Sequence, residues 1–220
     1  DNNDTNRFSI VRGDLAVVND SGSAVYTLAG LRRSVDSALK LDSPQVLSSA
    51  KYMYIYDLGG TDLVIKSTLE TVHTVSYNYP LRGAAVTDSG YFALIGEEKT
   101  SRSSVYVYDD SFRVIYDCAY GSLYTLSVDL NDDASRLLTA SVEAEGGEFL
   151  TTLYMYSLNE KEPLAKQLIA GEYPYKVAFT KNGGFMLLTN LCLRVYDGKA
   201  NLVSTLEFGE AGISNYHIGD

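Results

Sequence analysis

Apolar and polar positions alternate with a period of two in short runs along most of the chain. The sharpest run is Ser104–Asp109, where Val105 and Val107 interleave with Tyr106 and Tyr108. Alternation of this kind is the mark of a strand with one face buried. Related runs occur at Tyr52–Asp57, Thr152–Ser157 and Cys192–Asp197, with a weaker one at Leu15–Asp20. Turn-forming residues separate the runs: Arg12-Gly13-Asp14, Leu58–Asp62, Asp88-Ser89-Gly90, Asn131–Ala134 and Lys181–Gly184. Short Val-, Ile- and Tyr-rich runs bounded by such clusters predict antiparallel hairpins. Leu31–Leu41 has some helical propensity, but its place in the pattern assigns it to a first strand and turn. Glu143–Glu148 reads as a long loop.

The runs repeat. Anchored on Asp20, Asp57, Asp109, Ser157 and Asp197, the spacings are 37, 52, 48 and 40 residues. A period near ~40–45 with four short strands per unit is that of a propeller blade, which buries both faces only by stacking on its neighbours. The expected fold is therefore all-β, a β-propeller of about five four-stranded antiparallel repeats in a single domain, 1–220. The repeats fall near 8–30, 31–70, 82–118, 123–170 and 174–208, and 212–220 reads as the first strand of a blade. The first unit lacks a first strand in this division. Pairing of 213–218 with 8–11 would close a five-bladed ring; otherwise the chain is an arc of a larger propeller.

Composition narrows the function. Hydrophobic residues make up 45% and charged residues 21%, as in a folded globular chain. Tyr is abundant, 18 against 7 Phe and no Trp, which suits half-buried strand positions with a polar tip. The net charge of −10 disfavours nucleic acid and anionic lipid as partners, so no direct membrane contact is expected of this domain. No apolar run reaches the roughly 18 residues of a membrane helix. The polar opening Asp1–Asn6 does not read as a native start, and an N-terminal anchor would precede it.

Candidate chemistry is sparse. Asp129, Asn131 and Asp133 alternate as in a calcium loop, but Ala134 replaces its glycine and Ala140 its terminal Glu, which leaves a turn. His73 and His217 have no ligand or nucleophile at a useful spacing. Cys118 and Cys192 read as buried small residues. No catalytic, metal-binding or cofactor-binding residues are expected, and no cofactor. The positions that stand out are tyrosines in the connections between repeats: Tyr77, Tyr79, Tyr120, Tyr124, Tyr173 and Tyr175. Propeller geometry places these connections on one face with the loops 97–103 and 143–148, a candidate interaction face for a protein or glycan. The bland reading of Tyr79-Pro80 and Tyr173-Pro174 is that they shape the turn between blades. A second functional reading is a glycan hydrolase or small-ligand sensor with its site in the channel. It would need Asp36, Asp88, Asp129 and Lys176 to converge there.

The Val-Tyr-Asp strand ends, the Asp-Ser-Gly and Asn-Gly-Gly turns and Glu143–Gly147 resemble a family of WD40-like propeller proteins of uncharacterised function. Its members occur in gut-dwelling Gram-positive anaerobes and carry an N-terminal membrane anchor before a propeller-like ectodomain. The resemblance covers about residues 8–218. It implies a location on the extracellular face of the membrane, further blades beyond Asp220, and a binding role without catalytic residues to carry over. The Trp-Asp dipeptide of WD40 blades is absent, since the chain has no Trp.

Overall fold

The computed structural model describes residues 6–209, 213 and 216. Its strands form five four-stranded antiparallel sheets, each a meander in chain order. The first sheet holds β1 (Arg7–Val11), β2 (Asp14–Asn19), β3 (Gly22–Tyr26) and β4 (Arg32–Asp36). The second holds β5 (Pro44–Ser48), β6 (Met53–Asp57), β7 (Asp62–Lys66) and β8 (Thr71–Ser76). The third holds β9 (Leu81–Val86), β10 (Phe92–Gly96), β11 (Ser103–Tyr108) and β12 (Val114–Tyr120). The fourth holds β13 (Tyr124–Leu130), β14 (Arg136–Glu145), β15 (Glu148–Ser157) and β16 (Pro163–Ala170). The fifth holds β17 (Pro174–Phe179), β18 (Phe185–Thr189), β19 (Cys192–Tyr196) and β20 (Leu202–Glu207).

One device recurs in every sheet. The turn from third to fourth strand begins with Thr27, Ser67, Asp109, Ser157 or Asp197, whose side-chain oxygen accepts a backbone N–H within the turn. The donors are Leu31, Glu70, Arg113, Asn159 and Asn201, at 3.1, 3.1, 2.9, 3.3 and 2.9 Å. Short hydroxyl and carboxylate side chains do this because they reach their own backbone a few residues on. These positions are spaced 40, 42, 48 and 40 residues, a more regular repeat than the Tyr-strand anchors gave. The long interval belongs to the fourth sheet, whose two middle strands have ten residues each.

The repeat boundaries differ from the sequence expectation in three places. The first sheet is complete: the turn Thr27–Gly30, with Gly30 at φ 78°, folds Arg32–Asp36 back onto β3 as a fourth strand. The second sheet has a strand beyond residue 70, β8, formed after the Ser67 turn. Residues 143–148 are no long loop, because β14 and β15 stay paired out to Glu145 and Glu148. The two-residue turn Gly146-Gly147, with φ of 62° and 89°, suits the twist of a tight hairpin. Apart from Ile213 and Tyr216, the strand expected near 212–220 lies outside the described residues.

By their contacts, the strands gather into two compact units, Asp1–Ala119 and Tyr120–Asp220. In the first unit, Val11, Ala16, Val18 and Val25 of the first sheet pack on Met53 and Ile55 of the second. The other face of the second sheet presents Tyr54, Tyr56, Leu63 and Ile65 to Leu81, Phe92, Leu94 and Tyr108 of the third. Tyr52, Tyr54, Tyr56, Tyr106 and Tyr108 are thus packing residues between sheets. Polar contacts lock the same seams: Ser9 Oγ to Ser48 Oγ at 2.7 Å, and Tyr54 Oη to the Gly90 carbonyl at 3.0 Å. Burial pushes the Tyr54 and Tyr56 phenols up to about 12. In the second unit, Leu138, Leu153 and Met155 meet Val177, Phe185, Leu187 and Tyr196.

Candidate functional site

The tyrosine connections lie where the sheets hand over to one another, and each unit builds one aromatic cluster there. In the first unit, the β8–β9 connection carries Tyr77 and Tyr79, with ring centroids 5.2 Å apart. Tyr79 stacks on Tyr106 at 5.6 Å and 15°. Tyr77 meets Tyr108 edge-on at 6.4 Å. A Cβ at Gly96 would stand 2.5 Å from the Tyr79 ring, so only glycine leaves room for it. Tyr106 donates to Glu98 of the β10–β11 loop, and burial, then that carboxylate, raises its phenol to about 12. Burial first, and then the neighbouring Tyr108, through a hydrogen bond for Tyr77 and through its charge for Tyr79, hold both phenols protonated far above the usual range. These rings are half-buried and committed to each other. Arg82 and Glu97 form an exposed ion pair, 2.6 Å, at the same end of β9 and β10.

In the second unit the tyrosines divide. Tyr120 is buried, 7% exposed, and stacks on Tyr154 at 5.6 Å. Its hydroxyl bonds Thr139 at 2.9 Å and Tyr156 at 3.0 Å. It fills the interior and does not belong to an open face. Its sequence context, Tyr-Gly-Ser-Leu-Tyr, hid this, because the last residue of β12 points inward while the turn after it is exposed. Tyr124 opens β13 and is exposed. Tyr173 and Tyr175 lie 5.8 Å apart at 64°, and Phe149 packs edge-on against Tyr173 at 5.2 Å. Phe149 is missing from the sequence reading because residues 143–148 read as a loop. Once β14 and β15 are paired to their tips, Phe149 sits beside the β16–β17 connection, fixed by Gly171 N–H donating to its carbonyl at 2.7 Å. Phe149 and Tyr175 are 45% and 37% exposed, so this cluster presents aromatic surface to solvent.

Beneath Tyr173 is a polar knot. Glu172 is buried, and Arg194 donates to both its carboxylate oxygens, Nε at 3.1 Å. Cys192 Sγ lies 3.5 Å from the same carboxylate, and Thr151 Oγ1 donates to the Glu172 carbonyl at 2.7 Å. Burial alone would raise the Glu172 carboxyl, but the bonds from Arg194 and Thr189 outweigh it and hold it below the usual range. Burial raises the Cys192 thiol, the opposite of what a thiolate nucleophile needs.

The polar residues considered for a channel site are engaged separately. Asp36 ends β4, the outer strand of the first sheet, where it pairs with Lys66 at 2.6 Å. That is a correction to its place in a first strand. Asp88 lies in the β9–β10 turn. Asn131 and Asp133 spend their side chains on their own turn, Arg136 N–H to Asn131 Oδ1 at 2.7 Å and Ser135 N–H to Asp133 Oδ1 at 3.0 Å. Asp129 turns away from them and accepts the Phe179 N–H at 2.7 Å, while Ser127 Oγ accepts that of Val177 at 3.1 Å. Side chains of β13 thereby satisfy the edge of β17 that β18 does not pair. Among the described residues no group of three or more His, Cys, Asp and Glu is placed to hold a metal ion. His73 stacks on Phe112 at 4.7 Å.

The Asp129 carboxylate keeps some exposed surface but lies deep in the surrounding protein, and this desolvation raises its pKa. A raised folded pKa gives stability that is full below the unfolded value and lost as pH rises through the folded one. Asp129→Asn retains an oxygen for Phe179 N–H and removes the charge. It is expected to match or exceed the parent at pH 7, the gain fading towards pH 4. Asp129→Ala orphans the N–H and should cost about 1–3 kcal/mol. Urea titrations at the two pH values read both.

Five four-stranded antiparallel meanders, packed sheet on sheet within each unit, define the chain as a β-propeller, and solved structures agree. KlHsv2 with loop 6CD replaced by a Gly-Ser linker matches with a TM-score of 0.66 and 12% identity, over 91% of this chain and 71% of that one. Hsv2p of Kluyveromyces lactis matches with a TM-score of 0.67 and 9% identity, over 92% and 73%. The chain belongs to the family of unknown function DUF5711, whose model matches residues 2–214. No curated protein matches it.

Proposed function

We propose that this propeller is a non-catalytic binding scaffold for a protein or glycan at the cell surface, carried on the extracellular face of the membrane by an anchor outside the residues described. The exposed cluster of Phe149, Tyr173 and Tyr175 is its contact site, and this cluster carries the reading. Rigid rings on a tight hairpin and a short connection bind at small entropic cost, and Tyr adds a hydrogen-bonding tip. A family of unknown function with a propeller fold is compatible with that role.

The test is capture by the immobilised chain from cell-wall polysaccharides and surface-protein extracts of the source cells, followed by affinity measurement with each partner found. Phe149→Ala with Tyr175→Ala is expected to weaken binding by roughly tenfold or more. Because both side chains are partly exposed, the melting temperature should hold. A partner held undiminished by the double variant would rule out this contact site. Release of soluble fragments from a captured polysaccharide would rule out the non-catalytic reading. The membrane placement is checked by protease treatment of intact cells, which should degrade the chain.

A further inference from the structure

The exposed rings of the second unit stand in acidic surroundings. Phe149 follows Glu148 at the tip of the β14–β15 hairpin, and the sequence holds no Lys or Arg from 137 to 160. Glu148 is exposed and Glu143 half-buried. The cations that do lie close are engaged. Arg194 is tied to Glu172, and Lys176 is half-buried, where its charge acts on Asp129. The polar groups around the rings are spent as well. Asn190 Oδ1 accepts the Tyr173 N–H at 2.7 Å, and the Asn190 N–H donates to the Tyr173 carbonyl at 3.0 Å. Thr189 Oγ1 accepts the N–H groups of Leu191 and Cys192, both at 3.2 Å. What remains for a partner is ring surface and negative charge.

Resting on the contact site proposed above, we propose that its occupant is a basic protein segment, which lays Lys or Arg side chains over Phe149 and Tyr175 and sets further positive charge towards Glu148. Phe149 meets Tyr173, and Tyr173 meets Tyr175, edge-on at 69° and 64°, so the ring faces do not cover one another. The face of an aromatic ring is its negative side and attracts ammonium and guanidinium groups. The same strand shows this contact within the fold: Lys166 Nζ stands 5.4 Å from the centroid of the Tyr154 ring. A net charge of −10 adds attraction for a basic partner at long range. A sugar suits the site less well. Its hydroxyls need placed polar side chains to orient them, and those beside the rings are committed to the fold.

The probe is a random heptapeptide library displayed on phage and panned against the immobilised 220-residue chain. Selected peptides should be rich in Lys and Arg. As synthetic peptides they should bind roughly threefold or more weakly to the variant Phe149→Leu with Tyr175→Leu. Leucine keeps an apolar surface and removes the ring face, so the melting temperature should hold and the loss reads the cation contact. Glu148→Gln should weaken the same peptides by roughly twofold, a difference that added salt removes. Selection of neutral or acidic peptides, or of none, would overturn the basic partner and leave the contact site standing. A polysaccharide captured through the same rings would do likewise and make the occupant a glycan. Peptides indifferent to the Leu pair but lost with Phe149→Ala and Tyr175→Ala would mark a contact through apolar area alone, against the proposal. Basic peptides that bind both double variants undiminished lie elsewhere on the acidic surface, and would overturn the site together with its occupant.

Discussion

Replacing Arg194 by Met will destabilise the protein by about 3–5 kcal/mol at neutral pH, because it strands the Glu172 carboxylate. The Glu172 side chain is 7% exposed and Arg194 is its only cationic partner among the described residues, so water cannot take over the lost bonds. The pH dependence separates this mechanism from simple loss of packing. In the parent the folded Glu172 pKa is lowered. Its contribution is present above the unfolded pKa, near ~4.3, and lost as pH falls through the folded value. In Arg194→Met the stranded carboxylate has a raised folded pKa, so the sign reverses: the deficit is small below about pH 4 and grows as pH rises. Chemical denaturation between pH 3.5 and pH 7 should show the two curves converging in acid. Adding Glu172→Gln should recover much of the loss at pH 7, since an amide is far cheaper to bury than a charge. A deficit independent of pH, with no recovery in the double variant, would assign the effect to the guanidinium's packing.

The pair Lys66–Asp36 should respond asymmetrically. The Lys66 side chain is 7% exposed and that of Asp36 27%. Asp36→Ala leaves a buried ammonium unpaired and is expected to cost about 3 kcal/mol. Lys66→Met leaves a carboxylate that still accepts the Ala38 N–H at 3.0 Å and reaches solvent, so the loss should stay under about 1 kcal/mol. The hydrogen bond from Lys66 holds the Asp36 pKa below its usual value. This contribution is present above the unfolded pKa and lost as pH falls through the folded one, below about pH 4. Lys66→Met should therefore blunt acid denaturation while hardly changing stability at pH 7. Equal losses from the two substitutions would show that the pair acts through shape rather than charge.

The sheets were legible because alternation and turn chemistry are local. The register of the repeat was not, since the same local pattern serves two places. Tyr108-Asp109 and Tyr196-Asp197 end third strands, and each Asp caps its own hairpin. Tyr56-Asp57 ends a second strand, and its Asp caps the connection before it, accepting the Ser43 N–H at 2.5 Å. Aligning the three merged two positions of the fold and produced the uneven spacing. The candidate site was half legible for a related reason. Tyr173 and Tyr175 are visible beside a proline, but Phe149 joins them only through strand pairing at a separation of more than twenty residues. Glu172 with Arg194, and Asp36 with Lys66, carry no sequence signal at all: each is a charge in an ordinary strand or loop until the sheets stack.

The recurring capped turn bears on how the chain reaches this structure. Every strand pairs with its neighbour in sequence, and each third-to-fourth strand link carries its own side-chain lock. Loop closure then proceeds in steps of a few residues rather than across the molecule, and low sequence separation between contacts favours rapid folding. A sheet can thus take shape soon after it leaves the ribosome, and what waits for the next sheet is only the covering of its second face.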